Sequence, residues 1–227
     1  LAGAGDSAQE RAESKARQRA HHQRRKEQAR GLMRGVISQI GPGDLVVDCG
    51  ANVGAVAVPL ARTGAELHAF EPDPVAFTQL QKATAAFDNV HLHAAAVGIA
   101  EGTARLFRGD TFADDPVKAT RRSTVLAGGV RMSDGGDSIE TPVIDLPARL
   151  TEWAKRDRGI AFLKLDIEGA ELDLLTEMLR LDLFSQIRLT VAEMHAYKFP
   201  HLRPEFQALR KTITARYPDT RVWLDWI

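Results

Sequence analysis

The run Leu45-Val46-Val47-Asp48-Cys49, bounded by Gly43 and Gly50, constrains the fold more than any other stretch of the chain. Apolar residues without polar alternation describe a strand covered on both faces, as inside a parallel sheet. The pattern then alternates. Residues 51–62 read as a helix ended by Thr63-Gly64, with Pro59 tolerable only near the first turns or at a kink. Residues 66–70 read as a second strand, 74–87 as a helix and 90–95 as a third strand. Short extra strands follow at 103–107 and 141–144, with a helix at 146–156. Strands at 160–166 and 187–193 flank a helix at 170–181, and the chain closes with a helix at 204–217 and a strand at 221–226. Alternation of this kind implies an α/β fold, a doubly wound, mostly parallel sheet with helices on both faces. No internal repeat is visible.

A chain of 227 residues, 44% of them hydrophobic, suffices for one large domain with an appendage. No apolar run approaches the roughly 20 residues that cross a bilayer. One Cys excludes a disulfide framework and a Cys-cluster zinc site, so a reducing, cytoplasmic compartment is the default expectation. No charged-then-apolar leader follows Leu1.

The zero net charge averages two unlike parts. Residues 1–30 carry eight Lys or Arg against four Asp or Glu, a net +4, which leaves −4 for the rest. From Ser7 to Arg30 there is no Gly, no Pro and no apolar stripe, so helix propensity is high with little to bury. Leu32, Val36 and Ile40, beside Met33 and Ile37, then form one apolar face, and Gly41-Pro42-Gly43 stops the helix. Residues 1–40 are expected to be a basic helical arm with a docking stretch, and 41–227 the main domain. The arm reads either as a solvated helix or as a contact for RNA, an anionic membrane surface or a second copy. It has no aromatic residue to stack on a base.

Three stretches carry chemistry. In Val47-Asp48-Cys49-Gly50-Ala51-Asn52-Val53-Gly54, two glycines permit a tight turn and a close ligand approach, and Asp48 stands at a strand end where open α/β sheets bind ligands. The loop is G-x-x-x-G, not the dinucleotide G-x-G-x-x-G, and an acid there favours a cationic ligand. Phe70-Glu71-Pro72-Asp73 follows, with Glu71 placed 21 residues after Gly50, where an acid hydrogen-bonds ribose hydroxyls. Asp73 reads better as a cap for the next helix. In the third stretch, running from Phe162 through Lys164, Asp166, Glu168 and Gly169 to Glu171, a lysine and three carboxylates gather at the carboxyl edge of the sheet.

These blocks, with Ala96-Val97-Gly98, resemble the FkbM family of S-adenosylmethionine-dependent methyltransferases over roughly residues 44–195. The resemblance implies a Rossmann-like class I methyltransferase fold. It implies that Asp48 and the backbone of Gly50, Ala51, Asn52 and Gly54 hold the amino-acid end of S-adenosylmethionine, with Glu71 and the adjoining Pro72 at the ribose. Ala96 and Val97 would border the adenine, and Asp166 would lie beside the methionine moiety. A fixed carboxylate near the sulfonium aids binding without needing to speed transfer, since that charge disappears in the transition state. Asp166 is therefore not an automatic choice of base.

His195 is the leading candidate for the proton acceptor because its ordinary pKa lies near neutrality. Glu168, Glu171 and Glu193 are others, and Lys164 and Asp166 complete the candidate catalytic set. Asp166 with a Glu/His pair could also hold magnesium or manganese, though helix capping or pairing with Lys164 explains the acids without a metal, and none is expected. His91 and His93, alternating on a strand, read as one face of a β-element rather than as a metal site. Residues 107–139, with Arg121-Arg122-Ser123-Thr124, read as a lid whose arginines could recognise an acceptor phosphate or carboxylate.

Such sheets usually end in an antiparallel hairpin, yet one strand is evident before Ile227. The edge is then completed by further sequence, another segment or another chain, with Trp223 and Trp226 as edge or interface groups. The expected function is methylation of a hydroxyl on a sugar or natural-product small molecule. The alternatives are RNA, protein or N-methylation guided by the arm, and a non-catalytic cofactor-binding protein.

Overall fold

All five residues of β1 (Leu45–Cys49) are buried, because the strand lies between β2 (Glu66–Phe70) and β7 (Ile160–Leu165) and runs parallel to both. These relations come from a computed structural model that describes residues 3–107, 120, 124 and 138–227, and side chains from Glu10 onward except those of Arg11, Gln18, His21 and His22. With β3 (Val90–His93), β8 (Thr190–Ala192) and β9 (Val222–Trp223), the main sheet has the order β3-β2-β1-β7-β8-β9, every neighbouring pair parallel. Counted within the sheet this is 3-2-1-4-5-6, the doubly wound arrangement, in which ligands bind outside the carboxyl ends of the strands where the order reverses.

Side-chain alternation sends Leu45, Val47 and Cys49 of β1 into one apolar layer and Val46 into the other. The first layer packs against α4 (Leu146–Trp153), α5 (Glu171–Arg180), α6 (Leu183–Gln186) and α7 (Arg203–Arg216), through Leu150, Leu175, Phe184 and Ile213. The second packs against α1 (Gly3–Gln39), α2 (Ala57–Ala61) and α3 (Pro74–Thr84), through Val36, Leu60 and Leu80. Each fully buried large side chain contributes on the order of 1.5–3 kcal/mol, so both faces hold the sheet. A smaller sheet, β4-β6-β5, joins β4 (Ala96–Gly98) in parallel and β5 (Gly102–Phe107) in antiparallel to β6 (Ser138–Asp145).

Four departures from the sequence expectations bear on the site and its surroundings. The helix expected over 51–62 is confined to Ala57–Ala61, because Gly50, Asn52 and Gly54 all take positive φ and the chain turns before it winds. The third strand ends at His93, and the chain passes into the second sheet at Ala96. The arm and its docking stretch are one continuous helix, about 55 Å long at 1.5 Å per residue. Its expected apolar face packs on the second layer, with Val36 and also Ala29 buried.

The fourth departure is the carboxyl end. Trp226 is buried and meets Trp223 edge-on at 6.2 Å. Arg25 of α1 donates to the carbonyls of Trp226 at 2.9 Å and Asp225 at 3.3 Å. Trp223 thus stands on the edge strand β9, as expected, while Trp226 is packed within this chain, with the amino-terminal helix tied to the segment that carries it. The remainder of the lid expectation, including Arg121, Arg122 and Ser123, lies outside the described residues, while Thr120 and Thr124 fall within them.

Candidate active site

A cavity of about 500 Å³ opens at the carboxyl ends of β1, β2 and β7, within the size range of small-molecule sites. Its floor is the glycine loop. Gly50 has φ +76, and a Cβ there would stand 1.8 Å from the Asp166 carbonyl oxygen, so only glycine lets β1 turn so close to the end of β7. The amides of Gly50 and Ala51 both donate to the Phe70 carbonyl at 3.0 Å, tying the loop to the tip of β2. The Asn52 amide donates to Glu71 Oε2 at 2.8 Å and the Asp73 amide to Glu71 Oε1 at 2.9 Å. Asp73 Oδ1 accepts from the Val75 amide at 2.8 Å and caps α3, as the sequence suggested. Burial raises the Glu71 carboxyl to about 7, against the lowering effect of those two amides.

Beneath the loop, Lys164 lies 3.0 Å from Asp48 Oδ1 and 3.6 Å from Asp166 Oδ2, and donates to the Gly50 carbonyl at 2.8 Å. Both Lys164 and Asp48 are buried. Burial alone would lower the Lys164 ammonium, but Asp48 and Asp166 hold it above its ordinary value and keep it charged. This lysine holds two strand ends and the glycine loop together, and a charge so bound is a poor proton acceptor.

The far wall is built around His195, which is buried. Its Nδ1 lies 2.8 Å from Oε1 of Glu171 at the first turn of α5, and that oxygen also accepts from the Ile167 amide at 3.1 Å. Its Nε2 lies 3.3 Å from Glu168 Oε2 and 3.8 Å from both Asp166 Oδ1 and Glu193 Oε1. Burial opposes the charge on the imidazole, yet Glu171, Asp166 and Glu193 raise it to about 9. Burial raises Glu193 itself to about 7, with the Asp166 charge adding to the effect. Glu168 has φ +60 and is held by an ion pair with Lys198. At Gly169, φ is +123 and a Cβ would collide with Phe199, so the turn between β7 and α5 is fixed by a glycine as the first loop is.

Of the candidates read from sequence, Gly50, Ala51, Asn52, Glu71, Pro72, Ala96, Val97, Lys164, Asp166, Glu168 and His195 line this cavity. So does Glu193, whereas Asp48, Gly54 and Glu171 do not. Asp48 lies beneath the loop with Lys164, and Gly54 forms the turn, its amide donating to the Ala51 carbonyl at 2.9 Å. Cys49 is a buried thiol, raised by burial, and no nucleophile. Sequence reasoning missed Thr120, which accepts from Asn52 Nδ2 at 3.0 Å, and Tyr197, Lys26, Trp226 and Ile227 in the cavity lining. The last three arrive by the docking of α1 on the carboxyl end, a long-range contact with no local signature.

The donor set fits S-adenosylmethionine: a carboxylate fixed at the tip of β2 to accept hydroxyl donors, and an acid-lined wall for a cationic centre. Asp166, Glu168 and His195 each offer a ligand atom, all within 4.8 Å of one another. Glu168 is already paired with Lys198, which competes with a metal ion for that carboxylate.

The family described as the methyltransferase FkbM domain matches residues 48–217. The 31-O-demethyl-FK506 methyltransferase FkbM of Streptomyces tacrolimicus is 33% identical over 186 residues, covering 69% of this chain and 67% of that protein. Among solved structures, a TehB-like SAM-dependent methyltransferase from Corynebacterium glutamicum is 18% identical, with a TM-score of 0.24. That overlap covers 34% of this chain and 44% of the other, so the chain spans under half of that protein's length. Among the described residues, no helix is long and apolar enough to cross a membrane. The match over residues 48–217, together with the similarity to a named relative, establishes that the chain belongs to the FkbM methyltransferase family.

Proposed function

We propose that this methyltransferase is an S-adenosylmethionine-dependent O-methyltransferase acting on a hydroxyl of a sugar or natural-product small molecule. The observation that carries the reading is the Glu171–His195 pair, whose Nε2 stands among the carboxylates of a small-molecule cavity. The relative named for 31-O-demethyl-FK506 supports a natural-product hydroxyl as acceptor.

S-adenosylmethionine supplies an electrophilic methyl group bound to a positively charged sulfur. Glu71 accepts from the ribose hydroxyls, and the glycine loop and Asp166 take the amino-acid end. Ala96 and Val97 border the base. Glu171 fixes the His195 ring, so that Nε2 in its neutral form would receive the acceptor's hydroxyl proton while the oxygen takes the methyl group, the carbon–sulfur bond breaks and its electron pair stays on the departing neutral thioether. A hydroxyl needs such a proton acceptor because its oxygen is a weak nucleophile while protonated. Positioning and proton removal are what the protein contributes. Tyr197, 60% exposed at the rim with its ring 5.8 Å from that of His195, offers the acceptor an apolar face. The buried thiol of Cys49 suits a reducing, cytoplasmic setting.

A methyl-release assay across glycosides, phenols and RNA tests the assignment. Turnover with a hydroxylated small molecule, lost in His195→Ala while S-adenosylmethionine affinity is kept, is the expected result. Turnover confined to RNA, or a fully active His195→Ala variant, would overturn the acceptor class or the base respectively.

A further inference from the structure

We propose that Glu66, His68 and His91 bind a transition-metal ion of the zinc class at the β2–β3 edge of the sheet, a site separate from the Asp166–Glu168–His195 wall. Glu66 and His68 are two apart on β2 and so share a face, and His91 is the register partner of His68 on β3. Each offers one ligand atom, and the three atoms lie within 4.8 Å of one another. The His68 and His91 rings stack with centroids 4.8 Å apart and planes 23° apart.

The surroundings hold these groups in place. Arg156 Nη1 binds Glu66 Oε2 at 2.8 Å, leaving Oε1 directed at His68 Nε2, 3.0 Å away. On its other side, His68 Nδ1 is 3.0 Å from His93 Nε2. With the proton on Nδ1, His68 donates to His93 and frees Nε2 for a metal, the outer hydrogen bond that metal-bound imidazoles usually have. Trp153 tilts against the His68 ring at 4.4 Å. His91 makes no hydrogen bond among the described residues and is exposed, so it can swing inward while water takes a fourth position. Zinc–nitrogen bonds of about 2.0–2.1 Å require the three atoms to draw closer, a movement available to an exposed ring.

Two imidazoles and one carboxylate select zinc, nickel or copper over magnesium or calcium, which prefer all-oxygen sets. An ion here would tie the outer strand β3 to β2. His93, which stacks on Phe70 at 4.3 Å, would link the site to the cavity that Phe70 lines. The inference does not depend on the methyl acceptor.

The test is calorimetric titration of the untagged full chain with Zn²⁺, beside His91→Ala, Glu66→Gln and His195→Ala. The proposal expects one ion per chain, affinity lowered by about tenfold or more in His91→Ala and Glu66→Gln, and affinity unchanged in His195→Ala. Because His91 is exposed, its variant keeps the fold, and a circular-dichroism spectrum matching the wild type verifies this. No zinc uptake by the wild type, retained affinity in His91→Ala, or loss only in His195→Ala would each overturn it; the first would leave Glu66, His68 and His93 as a hydrogen-bonded chain alone.

Discussion

The Nδ1 of His195 and the Oε1 of Glu171 lie 2.8 Å apart with both side chains buried, and Glu171 is in turn held by the Ile167 amide. That pairing stabilises the imidazolium, which three further carboxylates surround.

A pH prediction follows for catalysis. With His195 raised to about 9, the neutral ring that can accept a proton is scarce at pH 7 and gains population as pH rises. The kcat of the wild type should therefore climb through roughly that pH. In Glu171→Gln the imidazolium loses its closest anion, and the climb should move to lower pH. A pH–rate profile flat from acid to alkaline would remove His195 as the base. The same pair contributes stability that is fully present below the ordinary imidazole value near 6.5 and is lost as pH rises through about 9.

Glu71 gives a dependence of the same direction for binding, at lower pH. Its carboxyl, near 7, must be ionised to accept from two ribose hydroxyls, so S-adenosylmethionine affinity should weaken as pH falls through about 7. Glu71→Ala should lower affinity by about tenfold or more, since hydrogen bonds to a charged group are worth roughly 1.5–3 kcal/mol. Calorimetry at several pH values checks both points, and a Glu71→Ala variant that binds as tightly as the wild type would sink the ribose assignment.

Much of this was legible because local chemistry imposes it. A short run with four apolar residues between glycines read as an inner strand, and Glu71 fell at the tip of the next one. The turn between β7 and α5 announced itself through Asp166, Glu168 and Gly169. Where tertiary packing decides, the sequence was mute. Nothing near Arg25 indicates that it donates to the last carbonyls of the chain, and nothing near Asp48 indicates that its partner is a lysine more than a hundred residues away. His68 was passed over because its partners His91 and His93 join it only through strand register. The helix expected from residue 51 was overextended because positive φ at Asn52 has no unique sequence mark.

The buried Asp48–Lys164 pair should show the cost of a stranded charge. Lys164→Met leaves Asp48 buried without its cation, at a cost of about 3–5 kcal/mol in unfolding free energy. Adding Asp48→Asn should restore a large part of it, because the double variant buries no charge at that place. Urea denaturation of Lys164→Met, Asp48→Asn, the double variant and the wild type measures the coupling. Losses that simply add would mean that the two residues contribute independently.

Gly50→Ala probes the close approach of two strand ends. The new Cβ would overlap the Asp166 carbonyl, and φ +76 is costly for alanine, so the loop or β7 must move. The expected result is a lower Tm together with loss of S-adenosylmethionine binding. Gly102→Ala, at a position with open space around the Cβ, is the control and should leave binding unchanged. Equal behaviour of the two variants would refute the steric account.

The basic helix can be divided by truncation at two points. Described side chains before Gln23, including those of Lys15, Arg17 and Arg19, are exposed, whereas Arg25, Ala29 and Val36 contact the body. Deleting residues 1–22 should therefore leave Tm and S-adenosylmethionine affinity unchanged. Deleting residues 1–38 removes the cover from the second apolar layer, the Arg25 donors on the Trp226 and Asp225 carbonyls, and Lys26 from the cavity rim. Uncovering several apolar side chains at roughly 1.5–3 kcal/mol each should lower Tm markedly and weaken binding. Sedimentation, RNA binding and anionic-vesicle binding, measured on the shorter deletion, assign the exposed half. A loss in one of them identifies a contact made by the basic side chains, and no loss in any leaves that half as a solvated helix.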